Sequence, residues 1–457
     1  MCSDTHPRCL YRPDISNTGY IKVGDFTMTM PLKFKFPIHF LLLSACAIIS
    51  KGVLAEQKNV STVALDRCAG HAVNEPNLFI WSHKNLRVSK DSLHISSSSE
   101  LEESYKALLK RANRAIDEGP YSVILKTSLP PSGSKHDYYS IAPYWWPNPN
   151  TKNGLPYIQR DGERNPESKS SASDRVPLAH LSNNVSTLAL AAYFSDDKRY
   201  AKKASELIRV WFLDKKTRMN PNLNYAQAIP GITPGRGIGI IDTYSFVQVV
   251  DSIGILRYLD QLSTKQVEAL KQWFTEYTLW LITSEHGKEE RRKPNNHGLY
   301  YDVQVAIFSA FADDFTALRA MIDSVKRYRI PGHINRKGQM PHELKRTRSF
   351  HYTSYTLRGF FDAADLGECI GEDLWNFKTK RGVGIKLAID YQADFAGKLG
   401  NWRFKEIGSF NTKSFYSNLL RAEDAFGDGK YEKKARHYKQ ANNDSLSRLL
   451  YPKTLLK

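Results

Sequence analysis

Residues 293–298 combine two amides and an imidazole directly before a sequence of helical periodicity. The segment reads Lys-Pro-Asn-Asn-His-Gly, and the periodic sequence starts at Leu299. At such a loop-to-helix junction the amide of Asn296 could donate to a carboxylate while His297 takes part in proton transfer. In the simpler interpretation, Asn295 or Asn296 caps the helix and His297 makes only a local hydrogen bond. The local sequence leaves both interpretations open.

A second cluster contains an arginine and two tyrosines at helical spacing. Arg348, Tyr352 and Tyr355 stand at i, i+4 and i+7, which places them on one face of a helix. A guanidinium beside a phenol favours the phenolate, so we expect the arginine to lower a tyrosine pKa that starts near about 10. Such a tyrosine could remove a proton and return it to a leaving group. The alternative is an aromatic stripe in the core, with Arg348 paired to an acid.

Two long loops interrupt the helical periodicity and contain residues suited to sugars and carboxylates. Connections of this length in a compact domain are commonly functional. Aromatic rings can stack on pyranose faces or anchor a loop, and amides can bind hydroxyl groups or stabilise their own loop. The candidates for ligand contact in loop 134–164 are Tyr139, Tyr144, Trp145 and Trp146, and those in loop 219–242 are Asn222, Asn224, Tyr225, Gln227 and Arg236.

The elements that must position these residues are helices. Apolar residues recur at helical spacing in nine segments, whereas strand-like alternation is scarce. Antiparallel helical hairpins packed in sequence would give an all-α toroid or bundle. The segments are 101–117, 178–194, 198–213, 243–262, 264–284, 299–313, 314–327, 353–366 and 383–397.

The charge balance indicates an anionic partner. The 457 residues include 65 Lys plus Arg against 47 Asp plus Glu, which gives a formal net charge of +18. Nucleic acid, an anionic membrane surface and an acidic polysaccharide all fit such a balance. We find no known nucleic-acid-binding module in the sequence, so we do not expect a nucleic-acid partner.

The segment from residue 28 to residue 57 has the pattern of a secretory signal. A short cationic region precedes the apolar stretch 36–49, and cleavage is expected after Ala55. The natural start is then Met28 or Met30. Residues 43–46 also resemble a lipobox ending at Cys46, which would give a lipoprotein. The apolar run is shorter than the about 20 residues of a membrane-spanning helix, so we expect no stable membrane insertion and a periplasmic or secreted protein.

The chain therefore divides into three predicted parts. Residues 1–55 form the upstream extension and signal peptide, residues 56–99 a lead-in, and residues 100–457 the helical domain. Cys68 and Cys369 remain after cleavage at Ala55. An oxidising compartment permits a disulfide between them without requiring it.

Several of these segments together resemble the alginate lyase superfamily of polysaccharide lyases. The similarity extends from about residue 100 to residue 400, and the segments occur in the same order as in the family. The matching stretches are 137–149, 156–168, 217–231, 235–242, 295–298 and 348–355.

The resemblance implies an (α/α) toroid, an incomplete α/α barrel with a substrate groove, and a lyase that needs no metal or organic cofactor. The expected reaction is β-elimination in a 1,4-linked uronic-acid polysaccharide, alginate or glucuronan. An Asn-His pair and an arginine followed seven residues later by a tyrosine form the catalytic group of the family. These fall on Asn296, His297, Arg348 and Tyr355, with Tyr352 as the alternative tyrosine. His351 lies inside the matched segment and is an expected substrate contact, as is Asn295.

Two other functions remain as alternatives. A glycoside hydrolase on a similar toroid would need paired carboxylates. Asp242, Asp251, Glu285 and Asp302 are the candidates, although no two of them form a convincing pair in a polar loop. A non-catalytic protein that binds acidic glycans would use the same basic and aromatic residues. The sequence leaves the preferred uronate, the cleavage pattern and the oligomeric state open.

Overall fold

Helices dominate the computed structural model, which describes Cys68 and residues 75–95, 99–439 and 446–452. The described residues all belong to one compact unit, Val60–Lys457. The predicted signal segment, its cleavage point and Cys46 lie outside the described residues. The long helices are α1 (His83–Ile95), α2 (Ser99–Ala115), α3 (Arg175–Ser195), α4 (Lys198–Ile208), α5 (Phe246–Tyr258), α6 (Thr264–Thr283), α8 (Asn296–Phe311), α9 (Phe315–Ser324), α12 (Ser349–Glu368), α13 (Ile385–Ala393) and α14 (Thr412–Phe426).

Short helices and strands connect these elements. The short helices are α7 (Glu285–Arg291), α10 (Ile330–His333), α11 (Pro341–Leu344), α15 (Lys430–Ala435) and α16 (Ser447–Leu450). The strands are β1 (Tyr139–Ile141), β2 (Trp145–Trp146), β3 (Ile158–Gln159) and β4 (Tyr225–Ala228).

All nine helical segments predicted from apolar periodicity are confirmed. The helix entries follow local capping chemistry: the side chains of Ser263 and Gln266 form a reciprocal capping box at α6, and Asp197 caps α4. The segment predicted from residue 243 begins inside a 3₁₀ helix, Gly237–Ser245, which leads directly into α5. The long helices α1 and α14 and the short helices α7, α10, α11, α15 and α16 lie outside the predicted segments.

The helices pack as a ring. In order around it, α2 contacts α3, α3 contacts α5, α5 contacts α8, α8 contacts α12, and α12 contacts α14. Helix α16 closes the ring because it packs against α14, α1 and α2. Further helices pack beside these: α4 on α3, α6 and α9 on α8, α13 on α12, and α15 on α14. The predicted all-α toroid is confirmed.

Helices α8 and α5 lie deep in this ring. Every residue of α8 is buried except His297. The continuous helical segment Gly237–Tyr258, which includes α5, is long and apolar enough to cross a membrane, but 67% of its apolar window is buried inside the protein. Apolar residues around the whole circumference are typical of a helix in the core of a large domain.

The two long loops predicted from the sequence pack against each other through short strands. Strands β1 and β4 are parallel, with Tyr139 opposite Tyr225, and β2 pairs with β3 in the antiparallel direction, with Trp145 opposite Gln159. The loops therefore form one structured unit, in which residues far apart in the sequence have fixed relative positions.

Two long-range connections attach the segment before residue 100 to the ring. Cys68 and Cys369 form a disulfide across a sequence separation of 301, with Cα atoms 5.2 Å apart. The backbone N–H groups of Phe79, Ile80 and Trp81 donate to the carboxylate of Asp251 over 2.7, 3.1 and 2.7 Å. Part of the predicted lead-in therefore contributes to the same core as the toroid.

The Asp251 carboxylate is expected to contribute strongly to stability. The substitution Asp251→Asn removes the charge and leaves a buried backbone N–H without an equivalent acceptor, which we expect to lower the free energy of unfolding by about 3 kcal/mol. Denaturant unfolding measures this difference. The control is Glu268→Gln on the exposed side of α6, where the ion pair is worth less than about 1 kcal/mol. Equal effects of the two substitutions would contradict the prediction.

Candidate active site

A cavity of about 560 Å³, which we call the central cavity, lies where the two loops meet the starts of α8 and α12. It is lined by Pro143, Tyr144, Trp145, Gln159, Asp161, Arg164, Arg175, Gln227, Arg236, Ile238, Ile241, Lys293, Asn295, Asn296, His297, Arg346, His351, Tyr352 and Tyr355.

Ten of the predicted site residues lie in this wall. They are Asn295, Asn296, His297, His351, Tyr352, Tyr355, Tyr144, Trp145, Gln227 and Arg236. The other six predicted residues are not among those that line it. They are Arg348, Tyr139, Trp146, Asn222, Asn224 and Tyr225.

Five of these six residues hold the loops together. Asn222 donates to a carboxylate, Asn224 accepts from an indole N–H, and the Trp146 indole donates to a backbone carbonyl. Tyr139 and Tyr225 pair across the parallel strands. Loop stabilisation, the ordinary use of such amides, accounts for these contacts. A direct role of these residues in ligand binding stays a prediction.

His297 lines the cavity, and one of its two ring nitrogens is hydrogen-bonded to a buried carboxylate. Its Nδ1 lies 2.6 Å from Oε1 of Glu290, a residue of α7 that is 1% exposed. Burial raises the pKa of Glu290, and the neighbouring His297 opposes that rise. When Glu290 is ionised, Nδ1 carries the proton and donates it to the carboxylate, so the lone pair of Nε2 is free to accept a proton. Asn295 caps α8, as the simpler interpretation of this segment expected.

Asn296 is fixed by a second buried acid. Its backbone N–H and its Nδ2 each donate to Glu343 over 2.8 Å, and its Oδ1 is buried without a hydrogen bond. Glu343 belongs to α11, and burial raises its pKa. One amide N–H of Asn296 is therefore already used within the protein.

The arginine beside the tyrosines is Arg346. Its guanidinium lies 3.8 Å from the centre of the Tyr352 ring and donates to Asp161 through Nη2 (2.6 Å) and Nε (3.2 Å). The hydroxyl of Tyr352 is 2.8 Å from that of Tyr144. This network ties α12 to loop 134–164 and sets a phenol at the cavity wall.

Arg348 stands two residues further on, at the N-cap of α12. Its backbone pairs with Glu406, and its Nε is buried without a hydrogen bond. The family spacing had assigned the arginine role to Arg348, whereas the residue that lines the cavity is Arg346. Both belong to the cluster that the sequence singled out, and its helical face starts only at Ser349.

The two tyrosines are strong candidates for proton donors. Burial raises the pKa of Tyr352, and the neighbouring Tyr144 raises it further. The guanidinium of Arg346 lowers this pKa, but only in part. Burial also raises the pKa of Tyr355, whose ring lies 4.4 Å from that of Tyr300. The neighbouring arginines do lower the tyrosine pKa values, as expected, but desolvation outweighs them, so both pKa values are raised overall.

His351 lies in the same wall as a neutral imidazole. Burial and the nearby guanidiniums, chiefly that of Arg348, lower its pKa to about 4. Its Nδ1 lies 3.2 Å from the amide nitrogen of Asn411, so Nδ1 accepts and the remaining ring nitrogen carries the proton. At neutral pH His351 can therefore donate a hydrogen bond without carrying charge.

Positive charge dominates the wall of the cavity. Four arginines and a lysine line it against a single carboxylate, Asp161, which is bonded to Arg346. Arg175 is paired with Asp242 at 2.8 Å, whereas the guanidinium of Arg236 donates to Gln227, an uncharged residue, over 3.1 Å. Such a cavity favours an anionic ligand. Sequence reasoning did not select Arg164, Arg175, Lys293, Asp161, Glu290 or Glu343. For Arg175, Asp161 and Glu343 the bound partners are 67, 185 and 47 residues away in the chain, so no local pattern indicated them.

Among the described residues, no group of three or more His, Cys, Asp or Glu side chains is placed to hold a metal ion. The expectation that catalysis needs no cofactor stays a prediction.

The fold and cavity define an all-α toroid protein with a basic site suited to an anionic ligand, and the comparisons with known proteins identify its family. The sequence model of the alginate lyase family matches residues 122–402, more than half of the chain. The crystal structure of an alginate lyase from Bacteroides ovatus is 35% identical, covers 82% of this chain and 99% of its own, and superposes with a TM-score of 0.78. The chain therefore belongs to the alginate lyase family and is a polysaccharide lyase.

More distant structures are also similar. Alginate lyase A1-III from Sphingomonas species A1 is 14% identical, with a TM-score of 0.48 and coverage of 75% of this chain and 87% of that chain. A tetrasaccharide complex of alginate lyase A1-III has a TM-score of 0.49, 14% identity and coverage of 75% and 86%. No curated protein gives a significant sequence match.

The two tyrosines are expected to differ in their effect on turnover. Tyr352→Phe removes a hydroxyl of the cavity wall that is hydrogen-bonded to the hydroxyl of Tyr144, so we expect kcat to fall by about a hundredfold or more, as for loss of a general acid. Tyr355→Phe should reduce kcat by less than about tenfold. Thermal unfolding of both variants checks that the fold is retained. A larger loss of kcat in Tyr355→Phe would reverse the assignment and restore the choice that the family spacing favoured.

Proposed function

We propose that this polysaccharide lyase cleaves a 1,4-linked uronic-acid polysaccharide, alginate or glucuronan, by β-elimination and leaves a 4,5-unsaturated uronosyl end. The observation that carries the proposal is the composition of the central cavity. Its wall combines an imidazole backed by a buried carboxylate, a phenol whose pKa is raised, and an excess of positive charge.

The elimination makes three demands on the protein. The C6 carboxylate must be neutralised so that the C5 proton becomes acidic, a base must take that proton, and an acid must protonate the departing O4. The C5–H and C4–O4 bonds break, and a C4=C5 double bond forms. No water enters the products, which distinguishes the reaction from hydrolysis.

Each demand has a candidate group in the cavity. Arg236 and Asn296 can hold the C6 carboxylate, because Arg236 has only uncharged hydrogen-bond partners within the described residues. His297 takes the C5 proton on Nε2, and Glu290 stabilises the imidazolium that forms. Tyr352 protonates O4, which its raised pKa favours. A single tyrosine acting as base and acid would first have to lose its own proton against that shift.

The carboxylates of the chain do not favour the hydrolase alternative. A hydrolase needs two carboxyl groups that flank the scissile bond. Asp161 is the carboxylate among the residues that line the central cavity, and Arg346 occupies both of its oxygens. None of the four candidates from the sequence lines the central cavity, and each is already bound: Asp242 to Arg175, Asp251 to the backbone of residues 79–81, Glu285 to Lys288, and Asp302 to Arg329.

An assay of ultraviolet absorbance from the C4=C5 double bond tests the proposal on polymannuronate, polyguluronate and glucuronan. We expect absorbance to rise with at least one polymer. We also expect His297→Ala to reduce kcat by about 10²- to 10⁴-fold while binding of the polymer is retained. Glu290→Gln keeps the shape of the side chain but loses the charge that stabilises the imidazolium, so its kcat should fall between those of the wild type and His297→Ala.

Two results would contradict this proposal. Release of reducing ends without the new absorbance would indicate hydrolysis. Binding of acidic polymers without any turnover would indicate a non-catalytic glycan-binding protein.

We further propose that the protein is periplasmic or secreted. The signal-like pattern of residues 28–55 supports export, and a disulfide such as Cys68–Cys369 is typical of oxidising compartments. We expect sequencing of the exported protein to start at Glu56. A lipid-modified start at Cys46 would identify a lipoprotein instead, and an unprocessed cytoplasmic chain would contradict export.

A further inference from the structure

Two further cavities continue from the central cavity along the inner helices of the ring. The first, the middle cavity, has a volume of about 260 Å³ and shares Arg175, Ile241 and Tyr355 with the central cavity. The second, the far cavity, has a volume of about 320 Å³ and shares Asn183, Gln248 and Arg358 with the middle one. Because each cavity shares wall residues with the next, the three adjoin in series.

Arg358 stands at the junction of the middle and far cavities. It follows Tyr355 by three residues on α12, so both side chains lie on the same face of that helix. Within the described part of the chain, its guanidinium has no hydrogen-bond partner, and its closest carboxylate oxygen, in Asp362, is 4.0 Å away. Asp362 is already bound by Arg421 and by the hydroxyl of Tyr244. The N–H donors of Arg358 are therefore available to a ligand.

The opposite wall supplies uncharged donors. Asn183 lies on α3, a helix of mostly buried residues, and yet its side chain is exposed. It lines both the middle and the far cavity, together with Gln248 of α5. Amide groups facing a guanidinium match the hydroxyl groups and the carboxylate of a uronate residue.

We propose that the middle and far cavities form a binding site for uronate units of the substrate chain beyond the unit that reacts, and that Arg358 binds a carboxylate there. This inference rests on the proposed function. The site binds and does not cleave: the reacting groups are in the central cavity, and Arg358 adds affinity for longer chains. A guanidinium can bind a carboxylate through two parallel hydrogen bonds, which fixes the orientation of the sugar as well as holding it.

The test uses the full-length enzyme and a series of purified uronate oligomers of increasing length. Arg358→Gln removes the positive charge and the ability to donate two parallel hydrogen bonds to one carboxylate. We expect the ratio of kcat/KM for long oligomers to kcat/KM for the shortest cleaved oligomer to fall by about tenfold to a hundredfold, mainly through a higher KM for the long ones. Asn183→Asp, which is nearly isosteric, places a negative charge in the same site and should lower the ratio as well, with a stronger effect at low salt.

Arg327→Gln serves as the matched control, because Arg327 is an exposed arginine outside the walls of these three cavities. It should leave the ratio unchanged. Thermal unfolding of each variant reports on folding, and Asn183→Asp tests the site even when Arg358→Gln does not fold.

The proposal is overturned when folded Arg358→Gln or Asn183→Asp keeps the wild-type dependence on chain length, or when either loses kcat equally at every length. Neither result affects the proposed function, which depends on unsaturated products from the wild-type enzyme. A wild-type enzyme that forms no such products would instead contradict the proposed function itself.

Discussion

The burial of α8 is the constraint on which the site depends. Fifteen of its residues are packed inside the ring, and His297, in its first turn, is the residue of α8 that is not buried. Because the helix cannot rotate without exposing apolar side chains, the direction of His297 is fixed by the core. Two buried acids complete this positioning: Glu290 holds the imidazole and Glu343 holds the neighbouring amide. Each belongs to a short helix beside α8, so the packing of the ring fixes the geometry of His297 and Asn296 in the cavity wall.

Desolvation gives the same groups their chemical character. It raises the pKa values of Glu290, Tyr352 and Tyr355 and lowers that of His351. The wall therefore presents protonated phenols and an uncharged imidazole in an environment where the arginines supply the positive charge. Interactions with a substrate carboxylate are stronger there than in bulk water, since the local dielectric constant is lower. In the proposed β-elimination, a basic cavity of this kind serves both affinity for the substrate and stabilisation of the enolate-like intermediate.

The same chemistry continues along the ring interior. The central cavity contains the groups to which we assign proton transfer, whereas the adjoining cavities are lined by Arg358 and the amides of Asn183 and Gln248, and no histidine is among the residues that line them. Under the proposed function, this division separates catalysis from recognition of neighbouring sugar units. The toroid also suits a polymeric substrate. Helices that follow one another around its interior can supply hydrogen-bond donors to successive sugar units of a polysaccharide.

The sequence by itself determined nine of the eleven long helices, the two long loops, the ordered family segments and ten residues of the cavity wall. These follow from local periodicity, capping and composition, which act over a few residues. Only the tertiary structure decided that Arg346 lines the cavity in place of Arg348, that Cys68 pairs with Cys369, and that burial outweighs the guanidinium at the tyrosines. Arg346 is held by Asp161, 185 residues away in the chain, and the disulfide spans 301. Such contacts and the desolvation that accompanies them arise from packing, so no local pattern could specify them.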